Sequence, residues 1–480
     1  MQMFVMLMMV ALIVHDAAAA DLGLKPLLTG AAMPLTVLSA YAVLAAIIAG
    51  GCFWVQRIMT HSPGRARPWV RRLEVALNAS RAVIVALFLT QIYVLGGLMW
   101  LRETLGNWIL LNEVLAILPA LATVAVTWWA YYPIDRRMRE AALIRQLDRG
   151  DPVWPIWTRG QYLLSQVRHQ LLLMMVPLLA LLGWTQIVDS FLVPEHPWIA
   201  YRSAFTLSGG LAIFLAAPLM IRHVWDTIPL AEGELRTRLL ALCDCYHVRI
   251  RELLLWRTYG GIVNGAVMGL IGKTRYILLT DGLIERLEDD EVEAVMAHEL
   301  GHVRRHHMPW LAICAITVLM AWSTVLEYAI MRVESLPGLQ EAVTASYWRE
   351  MSDVAMIGLL LGGWYVAFGY ISRRFERQAD TFAAQHLTQR LAEDRGETAA
   401  TISSEGAEIM SRALFRVSAL SHAPADRPSW RHGSITWRAN YLRSLVGCPL
   451  YRCPIDGEVQ MIRGVCVLLG LAALALTYGG

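Results

Sequence analysis

The sequence predicts a mostly α-helical, polytopic membrane protein with a polar cytoplasmic part that contains a small β-hairpin or sheet. Three observations carry this prediction. The 480 residues are 56% hydrophobic and only 17% charged, with a mean hydropathy of +0.45, a balance foreign to soluble chains. Charge-free stretches close to the ~20 residues that a helix needs to cross a bilayer recur along the chain. Arginine is concentrated in alternate connections between them. The same numbers exclude other classes. The apolar fraction is too high for a disordered or collagen-like chain, and seven cysteines are too few for a disulfide scaffold. No nucleic-acid partner is expected, because 42 Lys and Arg nearly balance 39 Asp and Glu, leaving a net charge of +3.

Taken in order, the candidate spans are residues 26–56, 82–101, 114–134, 170–188, 203–221, 309–326, 354–372 and 464–480. Residues 1–20 are apolar as far as His15 and Asp16 and end in four alanines, so they read as a signal peptide or as a first membrane segment; no Lys or Arg precedes the apolar run. The expected organisation is therefore an N-terminal multi-pass region at 21–221, a polar stretch at 222–308, a pair of spans at 309–372, a second polar stretch at 373–463 and a last segment at 464–480. Glu113 and Glu327 border spans, where snorkelling to the interface is the expectation.

The positive-inside rule orders the connections. Arg57, Arg65, Arg67, Arg71 and Arg72 fill the first, and Arg136, Arg137, Arg139, Arg145 and Arg149 fill the third. The second (Arg102, Glu103, Glu113), the fourth (Asp189, Glu195, Arg202) and the one at 327–353 are neutral or acidic. Both long polar stretches then fall on the cytoplasmic side. Cys243, Cys245, Cys448 and Cys453 lie in them, where disulfides are disfavoured. Cys243, Cys245 and His247 lack the second ligand pair of a zinc knuckle and read instead as part of an amphipathic helix from Glu232 onward. Residues 391–406 (LAEDRGETAATISSEG) read as a flexible polar loop, with a lid role left open.

Chemistry concentrates at 288–307, EDDEVEAVMAHELGHVRRHH, a helix announced by acidic residues at its start, basic residues at its end and apolar residues at helical spacing. Within it His298, Glu299 and His302 make H-E-x-x-H. Two imidazoles one turn apart on one face can share a Zn2+ ion, and Glu299 beside them can carry a proton from the attacking water to the leaving amine. His306 and His307 read as interfacial residues. A zinc site of this kind needs a third protein ligand. Arg305 and Met308 stand where a metzincin extension would need Gly and His, so a later glutamate is required. The run SRRFERQADTFAA at 372–384 supplies Glu376 and Asp380 on one helix face: Glu376 to ligate zinc, Asp380 to accept from the distal nitrogen of a ligating histidine.

With these motifs in place, residues 228–445 resemble the membrane-embedded gluzincin endopeptidases that include HtpX and the type I CaaX prenyl proteases. EVEAVMAHELGH, two intervening spans and SRRFERQAD follow the family's arrangement, which implies one Zn2+ on His298, His302 and Glu376 with Glu299 as catalytic base. LAEGELRTRLLALCDCYHVRIRELLLW and VNGAVMGLIGKTRYILLTDGLIERL resemble the helix, strand and hairpin before the family's site, with Asn264 where the family holds substrate backbone. The hairpin also makes physical sense, since an exposed edge strand beside the zinc can pair with an extended peptide. His432 and Arg438 match a family His and Arg at the same spacing. Either can stabilise the oxyanion, or His432 can fill the open zinc position at rest; Gly433 stands where the family has proline.

The resemblance implies a gluzincin-type zinc peptidase domain acting on protein or peptide substrates at the lipid bilayer. Quality-control cleavage in a bacterial inner membrane, with the active site on the cytoplasmic face, is the favoured expectation. CaaX-type processing and a catalytically inert zinc-binding scaffold are the alternatives, and a transporter would need intramembrane charges that the spans lack.

Overall fold

The computed structural model describes residues 2–21, 27–149, 155–336, 346–421 and 423–478. It divides into two compact units, Met1–Thr227 and Ile228–Gly480. Among the described residues seven helices are long and apolar enough to cross a membrane: Ala32–His61, Ala66–Val94, Leu111–Ala141, Arg159–Phe191, Ile199–Val224, His307–Val333 and Pro454–Leu476. Their outer faces carry exposed leucines such as Leu207, Leu211 and Leu468, as surfaces solvated by acyl chains would.

The first unit contains α1 (Gln2–Asp21), α2 (Ala32–His61), α3 (Ala66–Leu89), α4 (Gly97–Leu105), α5 (Leu111–Arg149), α6 (Arg159–Gln166), α7 (Leu173–Phe191) and α8 (Arg202–Val224). Val5, Met8, Met9 and Leu12 of α1 are buried in one core with Phe88, Ile92, Ala116 and Ile117. Three expectations change here. The span expected at 82–101 begins at Ala66, runs through a wide turn at Thr90–Val94 and stops at Gly96, whose left-handed backbone (φ 74°) breaks the helix before α4. The arginine-rich third connection continues α5 to Arg149, because straight-chain arginines extend a helix at little cost. Glu113 does not snorkel: its side chain is buried and accepts from Arg102 at 2.8 Å, while Arg102 also pairs with Asp16 at 2.7 Å. Glu327 is exposed, as a border residue should be.

In the second unit, with β1 beginning at the boundary residue Thr227, a four-stranded sheet has the order β1-β2-β4-β3, with β1 Thr227–Pro229, β2 Glu252–Trp256, β3 Gly265–Met268 and β4 Tyr276–Thr280. β2 runs parallel to β4, with Leu254 opposite Leu278, and β3 runs antiparallel to β4, with Ala266 opposite Leu278. Every residue of β4 is buried, which explains its unbroken apolar reading, and β3 lies at an edge. Helices α9 (Glu234–Cys245), α10 (Asp281–Ile284), α11 (Asp289–Arg304), α12 (His307–Glu334), α13 (Ser346–Asp394), α14 (Ser404–Leu420), α15 (Ile435–Ser444) and α16 (Pro454–Tyr478) complete the unit. The expected span at 354–372 lies within α13, and α16 begins ten residues before the expected 464.

Helix α11 is the keystone. Val292, Met296, Ala297 and Leu300 pack into one core with Leu253, Ile277 and Leu279 of the sheet and Phe382, Ala383 and Leu387 of α13. Its acidic first turn is capped by a reciprocal Glu288–Glu291 box. Arginines from three helices then clamp it. Arg238 and Arg390 reach Glu293 at 2.6 and 2.8 Å, and Arg412 and Arg416 reach Glu291 at 3.0 and 2.9 Å. The 391–406 stretch is not a loose loop. It contains the end of α13, a turn at Gly396 and the Ser403 cap of α14, and backbone bonds join Ile402 to Cys448 and Gly447, and Ala400 to Leu450.

Candidate metal centre

The helical repeat of α11 places His298 and His302 on the face toward α13, and Gly301 between them sets how near α13 can come. A Cβ at Gly301 would stand 3.2 Å from Ala379 Cα and from Phe382 Cβ. This close approach brings Glu376 under the two imidazoles. The Nε2 atoms of His298 and His302 are 3.2 Å apart, and Glu376 lies 3.7 Å from the first and 3.8 Å from the second. All three ligand atoms fall within 4.8 Å of one another. Donors about 2.0–2.2 Å from a common tetrahedral ion sit roughly 3.3–3.6 Å apart, so these three, 3.2–3.8 Å apart, are within a few tenths of an ångström of the spacing a tetrahedral metal ion needs.

Supporting contacts surround the triad. His298 Nδ1 lies 2.9 Å from Asp380 Oδ1. Arg438, itself buried, grips Asp380 with Nε at 2.7 Å and Nη2 at 2.6 Å, and its Nη1 stands 3.3 Å from Glu376 Oε2. His432 sits half exposed with Nδ1 2.9 Å from Glu376 Oε1. Its loop is held by Ser429 Oγ, which accepts from the His432 amide at 3.0 Å. Gly433 takes a left-handed backbone (φ 74°) that a proline at this position could not adopt.

The charges follow from this geometry. Burial opposes ionisation of Glu376, but Arg438, His432 and the two imidazoles hold its carboxyl well below the usual range. Asp380 is lowered likewise: the cost of burial is outweighed by Arg438 and His298. Burial drives the His302 imidazole well below its usual value and keeps it neutral, the form a metal requires. Burial also pushes the Glu299 carboxyl up to about 7, with Glu376 adding to the rise and His298 and the backbone amide of Val267 opposing it.

Glu299 stands beside the edge strand. A Cβ at Gly265 would lie 3.6 Å from Glu299 Cγ and 2.9 Å from Val295 Cγ1, so only glycine lets β3 lie this close to α11. Asn264, just before Gly265, has its backbone pinned to Thr280 (amide to Oγ1 3.0 Å, carbonyl from the Thr280 amide 3.1 Å) while its side chain is exposed. The preceding loop is fixed by Asp281, which accepts from Thr258 Oγ1 at 2.6 Å and from the Tyr259 amide at 2.6 Å.

Of the candidate site residues, His298, Glu299, His302, Glu376, Asp380, His432 and Arg438 meet in one cluster, and Asn264 stands just before the strand alongside it. Sequence reasoning missed what lies behind His302. His307, expected at the interface, is buried, with Nδ1 2.9 Å from His302 Nδ1 and Nε2 2.9 Å from Gln378 Oε1. Gln378 Nε2 in turn donates to Asp456 Oδ1 at 2.6 Å. The missed signal is the left-handed turn at His306 (φ 54°), which folds the start of α12 back onto the end of α11. His306 itself is exposed.

Residues 259–443 match the model of peptidase family M48. Over this segment the chain is similar to the M48 peptidases. The matched segment includes all the candidate site residues, from Asn264 to Arg438, and bears out the expected resemblance. Relatives include a Protease HtpX homolog of Bacteroides fragilis, 32% identical over 142 residues (27% of this chain, 41% of that protein). A CAAX prenyl protease 1 homolog of Arabidopsis thaliana is 29% identical over 203 residues (39% and 46%). The chain spans less than half the length of these curated relatives. A crystal structure of S. mikatae Ste24p superposes with a TM-score of 0.45 at 14% identity, covering 87% of this chain and 100% of that one.

Proposed function

We propose that this chain is a membrane-integrated zinc endopeptidase, with one Zn2+ held by Nε2 of His298, Nε2 of His302 and the Glu376 carboxylate. The observation that carries the reading is the convergence of these three donors near Glu299, a carboxylate outside the donor set. The chemistry such an ion supplies is Lewis-acid activation of water and of a peptide carbonyl. Glu299 takes the proton from the attacking water and hands it to the leaving amine; its raised pKa suits both halves of that task, and a nearby cation would draw it back toward the ionised form. His432, exposed and able to swing from Glu376, stabilises negative charge developing on the carbonyl oxygen. Arg438 has its guanidinium committed to Asp380 and Glu376, so it positions the ligands and does not reach for substrate.

Substrate enters as an extended strand against β3, with Asn264 holding its backbone. Pairing of this kind reads main chain, which suits unfolded segments of membrane or membrane-associated proteins and supports a quality-control role. Relatives named HtpX occur in Bacteroides and Pseudomonas, which agrees with a bacterial inner membrane. The alternation of arginine-rich and acidic connections supports an active site at the cytoplasmic face.

The test is cleavage of an unfolded model protein by detergent-purified chain loaded with zinc, beside Glu299→Gln and beside a prenylated C-terminal peptide as competing substrate. Cleavage of the unfolded protein by wild type alone is expected. Preference for the prenylated peptide would transfer the assignment to CaaX processing. Zinc retained by both proteins with no cleavage of either substrate would leave an inert scaffold, for which His432 is the nearest fourth ligand.

A further inference from the structure

Behind His302 lies a chain of polar atoms whose protons can be placed in only one direction while His307 is neutral, the form its burial favours. Asp456 is an acceptor-only carboxylate, with Arg305 Nη2 at 3.5 Å. Gln378 must therefore turn its Nε2 toward Asp456, at 2.6 Å, which leaves its Oε1 as the atom facing His307. An oxygen there requires a proton on His307 Nε2, 2.9 Å away. A neutral imidazole protonated at Nε2 carries a bare lone pair at Nδ1, so the 2.9 Å contact between the two Nδ1 atoms is made by a proton on His302. His302 is then the Nδ1–H tautomer, and its lone pair is at Nε2, facing His298 Nε2 and Glu376. Reversing any link would set proton against proton or lone pair against lone pair in a buried site, at a cost of ~1–3 kcal/mol per unsatisfied group. His307 is fixed independently by stacking on Phe375, with ring centroids 4.6 Å apart and planes 11° from parallel.

We propose that His307, Gln378 and Asp456 form a one-way hydrogen-bond relay that sets the tautomer and orientation of His302 for metal binding, and that Asp456 in the first turn of α16 makes the C-terminal membrane helix part of the metal site. The two candidate histidines are thus oriented by different means: the Asp380 carboxylate stands directly behind His298, whereas behind His302 two neutral side chains, His307 and Gln378, lead to a carboxylate on α16. These are positioning residues, since none of the three reaches the ion or the substrate. The inference rests on the zinc reading of the site given above.

The test uses full-length, detergent-purified protein and reads zinc affinity by competition with a chromophoric chelator, together with the visible absorption of the Co2+-substituted form. His307→Leu removes the acceptor behind His302. His307→Asn restores one, because its Oδ1 stands where Nδ1 stood. Gln378→Met cuts the relay at its middle with little change of shape. Outer partners of metal-binding histidines are worth about 10–100-fold in metal affinity, so His307→Leu and Gln378→Met are expected to weaken zinc by that factor and to alter the Co2+ bands, with His307→Asn within a few-fold of wild type. Zinc affinity unchanged in His307→Leu and Gln378→Met, or lost equally in His307→Asn and His307→Leu, would overturn the relay. Should His307→Leu not fold, Gln378→Met against wild type decides alone. Failure of wild type itself to take up zinc would instead overturn the reading on which the relay rests.

Discussion

Gly301→Ala tests whether the spacing of α11 and α13 builds the metal site. Two effects compete. Alanine in place of glycine within a helix favours folding by about 0.8–1.0 kcal/mol. Against this, the new methyl would sit 3.2 Å from Ala379 Cα and from Phe382 Cβ and Cδ1. Part of that obstruction is backbone, which cannot rotate away, so α13 must retreat by a few tenths of an ångström. Overpacking of this kind costs about 1–3 kcal/mol, and the net change in stability is a loss of roughly 0–2 kcal/mol. The effect on the site is larger than the effect on the fold. Glu376 lies one turn before Ala379 on the same rigid helix, so it withdraws from His298 and His302, to which it now stands 3.7 and 3.8 Å. We expect zinc affinity to fall by about tenfold or more, with thermal unfolding of the metal-free protein shifted by only a few degrees. Chelator competition and differential scanning fluorimetry on the same preparation separate the two. A Gly301→Ala protein that is more stable than wild type and binds zinc equally well would refute the reasoning.

Other perturbations have equally definite outcomes. Arg438→Met strands the fully buried Asp380 carboxylate and should cost about 3–5 kcal/mol, with Arg438→Lys in between; a melt within 1 kcal/mol of wild type by denaturant titration would contradict the assignment. Glu293 is opposed by burial but held at about 2 by hydrogen bonds from His386 and Arg238 and by the charge of Arg390. Its folded pKa lies below its unfolded one, so its contribution is complete above about pH 5 and is lost as pH falls toward 2; the stability gap to Glu293→Gln should shrink from about 2–3 kcal/mol at pH 6 toward zero at pH 2.5. Treatment with a strong chelator should abolish cleavage and lower the melting temperature, both restored by Zn2+, because a ligand bound only to the folded state stabilises it by mass action.

The helical membrane character and the candidate cluster of His298, His302 and Glu376 were legible because both are local. A span announces itself by twenty residues of composition, and H-E-x-x-H by a five-residue pattern on one helix turn. Glu376 was reachable because Asp380 repeats it four residues on, at the period of a helix face. What local pattern cannot carry is where a helix stops. The span expected at 82–101 failed because arginines at 67, 71, 72 and 81 suit a helix as well as they suit a connection, and only the left-handed Gly96 ends it. Glu113 failed for a related reason. A carboxylate at a span border is read as wet unless its partner is known, and Arg102 becomes its partner only when the turn at 106–110 brings α4 against α5.

The polar stretch at 391–406 and the histidine at 307 show the same limit from the other side. Both look solvated in composition, and both are fixed by partners distant in sequence: Ile402 by the backbone at Gly447 and Cys448, His307 by Gln378 and, through it, Asp456. The common cause is that α11 has little room of its own. It is clamped at its start by arginines from α9, α13 and α14, pressed along its length by the sheet and α13, and turned at its end by His306. A helix held at both ends and along one side can present two imidazoles with their lone pairs converged only if something behind each ring fixes its proton. In this chain both polar partners come from outside α11, and their identity is set by the elements the fold brings there. Here those elements are α13 behind His298, and behind His302 the start of α12, linked through Gln378 to the first turn of α16, which is why Asp380 stood out by spacing and Asp456 did not.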